Sequence, residues 1–160
     1  QGMSLQLTIF DATDSVNPVA VHRWVAETDE SASSSSSAEF DHHAFRYFGV
    51  EGEVFDGYLV IPISTYNWVD PTQNFDGFKV FTIGTESGIE VHYDISHYGA
   101  LSCYSSRWLP ERSFVFDGRV MTMKQHSVRV TLLEDGSDLN DLELDENNEE
   151  NCNDYMFWDR

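Results

Sequence analysis

The chain has 160 residues, with 28 Asp and Glu against 9 Lys and Arg and a formal net charge of −19. Hydrophobic residues make up 41% and aromatic residues 14%, too much for a disordered acidic chain, so we expect a folded core in one domain or two small ones. The acidic excess argues against binding nucleic acid or anionic lipid, because both need a basic surface. No apolar run approaches the roughly 20 residues that cross a bilayer, so we expect no membrane insertion.

Along the chain, nine segments rich in Val, Ile, Phe, Tyr and Thr are each bounded by Gly, Pro, Asn, Asp or Ser, which is typical of β-strands. No long segment has a helical period. Asp56-Gly57 and Asp117-Gly118 are hairpin signals, because Gly accepts a positive φ. The sequence therefore predicts an all-β, antiparallel protein with strands at Ser4–Phe10, Pro18–Val25, Ala44–Phe48, Gly57–Ile63, Gly77–Ile83, Ile89–Ile95, Ser113–Phe116, Arg119–Met123 and Ser127–Leu133.

The predicted strands differ in how their apolar residues are distributed. Gly57–Ile63 and Gly77–Ile83 are apolar on both faces, so both sides of their sheet need a cover. In Ile89–Ile95 the apolar residues alternate with Glu90, His92 and Asp94, which predicts one wet face. Inner strands that are dry on both faces, beside a half-wet outer strand, indicate sheets stacked face to face around an axis.

A pair of strands recurs three times, and a second recurring pair lies between the copies. We interpret this as half a unit followed by two whole units, each with four antiparallel strands in about 50 residues, the size of a propeller blade. The repeat places His22 and His92 at equivalent positions, where we expect structural packing. The recurring pair is Leu7–Phe10 with Val19–His22, Lys79–Thr82 with Ile89–His92, and Arg129–Leu132 with Leu142–Leu144.

A family resemblance rests on motifs that occur in a fixed order, namely Leu7–Val19, Asp41–Phe45, Leu59–Ser64, Phe75–Phe81 and Arg112–Met123. Their run across residues 4–133 resembles the C-terminal part of the secreted bacterial and archaeal β-propeller domain family, which is distantly related to WD-type repeats. The resemblance implies a propeller, export to an extracellular, cell-surface or periplasmic location, and no established activity. It brings no functional residues with it. The Ser31–Ser37 run and the acidic, Asn-rich end depart from the family pattern.

Length limits what such a chain forms by itself. About two and a half blades are fewer than the four that a closed propeller needs, and open blades expose apolar faces and strand edges. We therefore expect a partial propeller, completed by upstream blades or by a second copy of the chain. We divide the chain into a blade segment, residues 1–133, and an acidic, Asn-rich C-terminal segment, residues 134–160. The Ser31–Ser37 run is predicted to be a flexible loop without packing capacity.

One candidate metal site consists of Asp41, His42 and His43, just before the strand Ala44–Phe48, which would line the axial channel. Imidazole beside a carboxylate can hold a divalent metal or transfer a proton. Neighbouring histidines on a strand point to opposite faces, so only one of the two would join Asp41. The alternative is structural, with one histidine hydrogen-bonded between blades and the other solvated.

A second candidate metal site is the oxygen-rich stretch that contains Asp70, Asn74 and Asp76. Calcium takes several oxygen ligands from one loop, although the Asp-x-Asx-x-Asx-Gly spacing is not met. Ordinary Asx turns are the alternative explanation for these residues. We expect no cofactor, and a divalent metal such as calcium is the alternative.

Aromatic residues in two predicted loops, Ser64–Asp76 and Ser96–Arg112, suggest a binding surface for a protein or a carbohydrate. They are Tyr66, Trp68, Tyr104 and Trp108. Aromatic residues in long loops mark binding surfaces more often than core, and packing of the loops themselves is the alternative.

Two cysteines, Cys103 and Cys152, form no CxxC motif, so a zinc knuckle or thioredoxin-type site is not supported. In an oxidising compartment they could pair as a disulfide that ties the acidic end to an earlier loop. Two free thiols are the alternative.

The functional prediction is a non-catalytic propeller segment of an exported protein that serves as a binding scaffold. One alternative is a metal-dependent enzyme, or a metal-binding site at the propeller axis, that uses Asp41 with His42 or His43. A second alternative is a stand-alone β-sandwich of unknown function. The sequence itself does not identify a ligand, a substrate or a reaction.

Overall fold

The computed structural model describes residues 4–26, 30–51, 54–97, 110–124 and 127–144. Three short 3₁₀ turns lie in these ranges, at Ser37–Glu39, His42–Ala44 and Pro71–Gln73. The strands are β1 (Gln6–Asp11), β2 (Val19–Val25), β3 (Ala32–Ser35), β4 (Arg46–Gly49), β5 (Gly57–Asn67), β6 (Phe75–Gly84), β7 (Gly88–Ser96), β8 (Arg112–Phe116), β9 (Arg119–Lys124), β10 (Ser127–Leu132) and β11 (Asp138–Glu143).

These strands form three antiparallel sheets. β1 and β2 make an N-terminal hairpin, and β8 to β11 make a C-terminal sheet in chain order. The central sheet has the order β3-β5-β6-β7, with β4 also paired to β5. The predicted all-β, antiparallel fold is confirmed. The two-stranded hairpin corresponds to the half unit that the repeat predicts, and the central and C-terminal sheets correspond to the two larger units.

The first strand of the central sheet is interrupted. Ala32–Ser35 pairs with Ser64–Asn67, and Arg46–Gly49 pairs with Gly57–Val60, on the same edge of β5. Residues 36–45 leave the sheet between these two pairings, and we call them the excursion. The strand predicted from Ala44 accordingly starts at Arg46, because Ala44 belongs to a 3₁₀ turn.

Both faces of the central sheet are buried. Its hairpin-facing side contains Leu59, Ile61, Ile63 and Phe81, which pack against residues at the open end of the hairpin, where β1 begins and β2 ends. Its other side carries a second apolar cluster, completed from the C-terminal sheet by Val120. The prediction that strands apolar on both faces need a cover on both sides is confirmed. The second cluster contains Val60, Phe78, Val80 and Ile95 from the central sheet.

The serine run was predicted wrongly as a loop without packing capacity. It forms β3 and the start of the excursion, and Ser34 and Ser36 are buried. The Leu5 N–H donates to Ser34 Oγ at 2.7 Å, and Ser36 Oγ donates to the Pro62 carbonyl at 2.5 Å. Serine fits here because the hairpin approaches β3 closely and because each hydroxyl satisfies a backbone group that would otherwise be buried without a partner.

The alternation predicted for Ile89–Ile95 is broken by a bulge. The register shifts where Val80 pairs with Tyr93 and Phe81 pairs with Val91. Ile89 therefore packs on the hairpin side, whereas Tyr93 packs on the other side, and Val91 is exposed. An extra residue in one strand changes the face that follows, and a period-two pattern does not reveal it.

Two hairpin signals have different outcomes. Asp117 and Gly118 both have positive φ, at 49° and 67°, so they form the predicted two-residue turn between β8 and β9. Gly57 instead begins β5, and a Cβ there would lie 2.5 Å from the Phe48 carbonyl oxygen. The prediction of a turn at Asp56-Gly57 is wrong, because this glycine is needed for close strand approach.

The three sheets contact one another through a repeated histidine contact. His22 Nε2, from β2, lies 2.9 Å from the Thr85 carbonyl oxygen in the turn between β6 and β7. His92 Nε2, from β7, lies 3.2 Å from the Leu133 carbonyl oxygen in the turn between β10 and β11. Each histidine therefore connects an outer strand to the turn of the following sheet.

Strand pairing continues into the acidic segment. β11 pairs with β10 through a turn in which Gly136 has a φ of 74°. A Cβ at Gly136 would also lie 2.6 Å from the Tyr93 ring of the central sheet. Residues 138–143 therefore form the outer strand of the C-terminal sheet. Among the described residues, no helix is long and apolar enough to cross a membrane.

Candidate functional site

The turn between β5 and β6 is organised around the side chain of Asn67, which is buried. Its Oδ1 accepts from the N–H groups of Val69 at 2.9 Å and Asp70 at 2.8 Å. The backbone N–H of Asn67 donates to Asn74 Oδ1 at 2.7 Å, and the side-chain Nδ2 of Asn67 donates to Gln73 Oε1 at 3.1 Å. These bonds connect the two ends of the turn through one side chain.

The 3₁₀ turn at Pro71–Gln73 lies within the same segment and adds further hydrogen bonds to it. Asp70 caps it, since Oδ1 accepts from the Thr72 N–H at 3.1 Å and from the Thr72 hydroxyl at 2.6 Å. Oδ2 accepts from Gln73 Nε2 at 3.0 Å. The hydrogen bonds from Thr72 hold the pKa of the Asp70 carboxyl below its usual value. The carboxylate therefore stays charged, and its capping role is kept, over the neutral range.

Three exposed apolar side chains lie at this turn, one at the end of β5 and two within the turn. The exposed fractions are 60% for Tyr66, 52% for Trp68 and 72% for Val69. The Trp68 N–H also donates to the Ser31 carbonyl at 3.1 Å, so the turn is held to the residue that precedes β3. We call Tyr66, Trp68 and Val69 the apolar tip.

The structure describes two of the four aromatic residues that the sequence predicted as a binding surface, and both belong to the apolar tip. Trp68 lies in the turn as expected, whereas Tyr66 lies within β5, because that strand runs to Asn67. Val69 was missed, and its position beside Trp68 and before Asp70-Pro71 was the available signal. Tyr104 and Trp108 lie outside the described residues.

The predicted calcium ligands each contact a different protein group. Asp70 caps the 3₁₀ turn, and Asn74 Oδ1 accepts from the Asn67 N–H. Asp76 lies in β6, where its Oδ1 accepts from the Ser64 hydroxyl at 2.5 Å. The Asp70 contact fits the Asx-turn alternative, since its acceptor bonds to the N–H two residues later, whereas Asn74 bonds to a residue seven positions earlier.

The excursion holds Asp41, His42 and His43. Asp41 Oδ1 accepts from the His43 N–H at 3.0 Å, and Oδ2 accepts from Arg112 Nη1 at 2.7 Å. The hydrogen bond from Arg112 is the main reason that the pKa of Asp41 lies below its usual value. Arg112 is the first residue of β8 in the C-terminal sheet, so this ion pair connects that sheet to the excursion.

The histidine geometry differs from the prediction. His42 and His43 lie in a 3₁₀ turn rather than on a strand, and their ring centroids are 4.0 Å apart. The expectation that they point to opposite faces is wrong, because strand alternation does not apply to a 3₁₀ turn. Across the part of the chain that the structure describes, no group of three or more His, Cys, Asp or Glu could hold a metal ion.

A polar network between the central and C-terminal sheets was not predicted from the sequence. Lys124 is only 2% exposed, and its Nζ forms a close ion pair with Glu111 and lies 3.1 Å from Asp76 Oδ1. Nζ also donates to Ser64 Oγ at 3.3 Å, and Ser37 Oγ donates to Glu111 Oε2 at 2.5 Å. The network therefore joins β5, β6 and the excursion to the C-terminal sheet.

His97 lies in the same interface and is 1% exposed. Its Nδ1 is 2.5 Å from Ser127 Oγ, and its Nε2 is 2.9 Å from Thr122 Oγ1. Burial, together with the nearby Arg129 and Lys124 charges, lowers the pKa of His97 to about 4. The imidazole is therefore neutral near pH 7. Its enclosure identifies it as a structural group rather than an accessible base.

The two cysteines, Cys103 and Cys152, lie outside the described residues, so the predicted disulfide stays a prediction.

Comparisons with known proteins identify the fold family. A family model described as a beta propeller domain matches residues 1–136. Searches of the curated proteins and of the solved structures found no match to this chain. The family match covers most of the chain, including the hairpin, the central sheet and three strands of the C-terminal sheet. The chain therefore belongs to the β-propeller domain family.

Proposed function

We propose that this chain is a non-catalytic propeller segment that binds a protein partner through the apolar tip. The observation that carries the proposal is a braced turn whose polar groups bond to one another while Tyr66, Trp68 and Val69 face solvent. A preorganised turn loses little conformational entropy when it binds. Trp and Tyr are also the residues that most often dominate the energy of protein interfaces.

A protein partner fits the tip better than a carbohydrate. Sugar recognition needs side-chain hydrogen bonds beside the aromatic rings, because a sugar presents many hydroxyl groups. Here the side chains of Asn67, Asp70 and Gln73 bond to the turn itself. What remains on the surface is Val69 beside Tyr66 and Trp68, two of the residue types that are most enriched in interface hot spots.

The metal-dependent alternative has weaker support. Its proposed acid, Asp41, already accepts from the Arg112 guanidinium and from the backbone of His43. A metal ion would have to compete with both donors for the same two oxygens. The arrangement favours a clamp between two sheets over a catalytic centre.

A peptide selection tests the binding proposal. Random twelve-residue peptides displayed on phage are selected on the intact chain, and individual peptides are then measured on a Tyr66→Ser/Trp68→Ser variant. We expect the selected peptides to bind the variant at least about tenfold more weakly, because the loss of a hot-spot aromatic costs 2 kcal/mol or more. Cello- and chito-oligosaccharides are titrated in parallel as the carbohydrate probes.

The matched control is Phe40→Ser. Phe40 lies in the excursion and is highly exposed, so its replacement removes an exposed aromatic ring without touching the tip. The proposal predicts unchanged peptide affinity in this variant. Equal loss in both variants, or binding of the oligosaccharides alone, would contradict a protein-binding tip.

We also propose that other blades cover the open face of the C-terminal sheet, supplied by upstream blades or by a second copy. Support comes from exposed apolar side chains on that sheet, which include Phe114, Phe116 and Met121, since soluble proteins rarely leave contiguous apolar faces open. Light scattering on this chain should show self-association that Phe116→Ser weakens. A monodisperse monomer at high concentration would oppose self-association and favour upstream blades.

Export of the protein is a further part of the proposal. It is supported by the resemblance of the ordered motifs to a secreted family. Fractionation of the source cells, with detection of the native protein, tests this directly. Recovery from the cytosol alone would contradict it.

A further inference from the structure

A cleft of about 430 Å³ lies between the N-terminal hairpin and the central sheet. Trp24 and Val25 of β2 form one wall, and Phe75 and Val91 of the central sheet form the other. Val25 and Val91 are both exposed although they are apolar, so the cleft offers accessible apolar surface. Its volume is in the range of small-molecule sites.

An ion pair lies within this cleft. Lys79 Nζ donates to both Asp94 oxygens at 2.7 Å, and it lies 4.8 Å from the centroid of the Phe75 ring. The ring and the carboxylate together hold the ammonium in one position. Because 43% of the Asp94 side chain is exposed, the pair can be reached from solvent.

The pair retains unused hydrogen-bonding capacity. An ammonium has three N–H donors, and the two Asp94 oxygens, which lie in nearly the same direction from Nζ, take at most two of them. A carboxylate has about four acceptor positions, and Lys79 occupies two of them. One donor and two acceptor positions therefore remain beside each other, next to an apolar wall.

We propose that this cleft binds a small zwitterion, an α-amino acid with an aromatic or branched aliphatic side chain. Its carboxylate accepts from the third N–H of Lys79, and its ammonium donates to Asp94. Its side chain packs against Val25, Val91 and the Trp24 indole. The ion pair has no net charge, so a ligand with a single charge is attracted by one partner and repelled by the other, whereas a zwitterion is attracted by both.

Calorimetric titration of the intact chain with L-phenylalanine and L-leucine tests this site. We expect saturable binding of at least one of the two. 3-Phenylpropanoate lacks the ammonium, phenethylamine lacks the carboxylate and glycine lacks the side chain. Each should bind about tenfold more weakly or worse, because each loses one charge-assisted hydrogen bond or the apolar contact.

Two variants locate the binding. Asp94→Asn removes the charge that receives the ammonium, and Val91→Gln makes one wall polar at an exposed position where folding should not suffer. Each is expected to weaken amino-acid binding about tenfold. Asp141→Asn is the matched control, since Asp141 forms a similarly exposed ion pair with Arg129 elsewhere. That variant should bind like the parent.

Three results would overturn the proposal. They are the absence of saturable binding to the parent chain, affinity for phenethylamine or 3-phenylpropanoate equal to that for L-phenylalanine, and unchanged binding in both Asp94→Asn and Val91→Gln. Thermal unfolding of each variant confirms that the compared proteins are folded. The apolar tip takes no part in this site, so Trp68→Ser should leave amino-acid affinity unchanged.

Discussion

The two faces of the central sheet are covered by different chemistry. On the hairpin side the buried contact is apolar, with Leu59, Ile61, Ile63 and Phe81 in one cluster, and the polar contacts of Lys79 with Asp94 and of His22 with Thr85 lie at its partly exposed edges. On the side of the C-terminal sheet an apolar cluster lies beside a buried lysine, its acidic partners and a buried neutral histidine. The first contact depends on area removed from water, and the second also depends on which groups carry charge.

The two contacts should differ in which one loosens first when the pH is lowered. Apolar burial does not change with pH, but the stability that depends on the buried neutral imidazole of His97 does. Acid should therefore loosen the C-terminal sheet before the hairpin. The apolar tip stands on the central sheet, so it should outlast that first opening.

The largest effect on the hairpin face is expected from Phe81→Ala. Phe81 is fully buried and its ring lies edge-on to Trp24, with centroids 4.9 Å apart. The lost contacts and the cavity should lower the free energy of unfolding by about 3–5 kcal/mol. Urea unfolding at pH 7 and pH 5 should give the same loss at both values. A loss that depends strongly on pH would show that this face is not purely apolar.

Lys124→Ala should have the next largest effect, about 3 kcal/mol, because it leaves Glu111 and Asp76 near each other without their cation. Urea unfolding at pH 7 measures it. The triple variant Lys124→Met/Glu111→Gln/Asp76→Asn should recover part of the loss, since it removes the charges together. A loss below about 1 kcal/mol for Lys124→Ala is the value expected of an exposed pair and would contradict a buried network.

His97 gives the pH dependence of the same face. Its pKa is about 4 in the folded chain against an ordinary value of 6.5, so the unfolded state binds the proton more readily. Its contribution, up to about 3 kcal/mol, is complete above pH 6.5 and is lost as the pH falls toward 4. Unfolding free energies of the parent and of His97→Gln across this window should converge at low pH. Parallel pH curves would show that His97 is not the titrating group.

Ser34→Ala should have the smallest effect, about 1–2 kcal/mol, because the Leu5 N–H loses its acceptor where the serine run meets the hairpin. Thermal unfolding measures the loss. Ser35→Ala is the control, since Ser35 lies in the same strand with an exposed side chain. Equal effects in both variants would contradict the assigned role of Ser34.

Local sequence patterns predicted much of the fold but not its exceptions. Alternation and β-branched content revealed β5 and β6 and the faces of their side chains, because those signals are contained within each strand. The strand Ala32–Ser35 was missed because serine favours turns, and here a close approach by the hairpin overrides that preference. The bulge in β7 was missed because apolar and polar residues continue to alternate regularly along the sequence from Ile89 to Ile95, across the bulge.

The residues of the candidate sites also differ in whether the sequence could predict them. Tyr66 and Trp68 were predicted as surface residues because they fall in the predicted loop Ser64–Asp76. The network around Lys124 could not be read from the sequence, since its partners Asp76 and Glu111 are far from it in the chain. Asp41 was singled out for metal chemistry, and its pairing with Arg112 depends on how two sheets meet.

Amide hydrogen exchange at pH 7 and near pH 4.5, corrected for the intrinsic pH dependence of exchange, tests the contrast between the two faces most directly. We predict that β8 to β10 lose protection at the lower pH, while β1, β2, β5 and β6 keep theirs. Equal loss of protection in all three sheets, or earlier loss in the hairpin, would contradict the claim that the face toward the C-terminal sheet depends on buried polar groups that the hairpin face lacks.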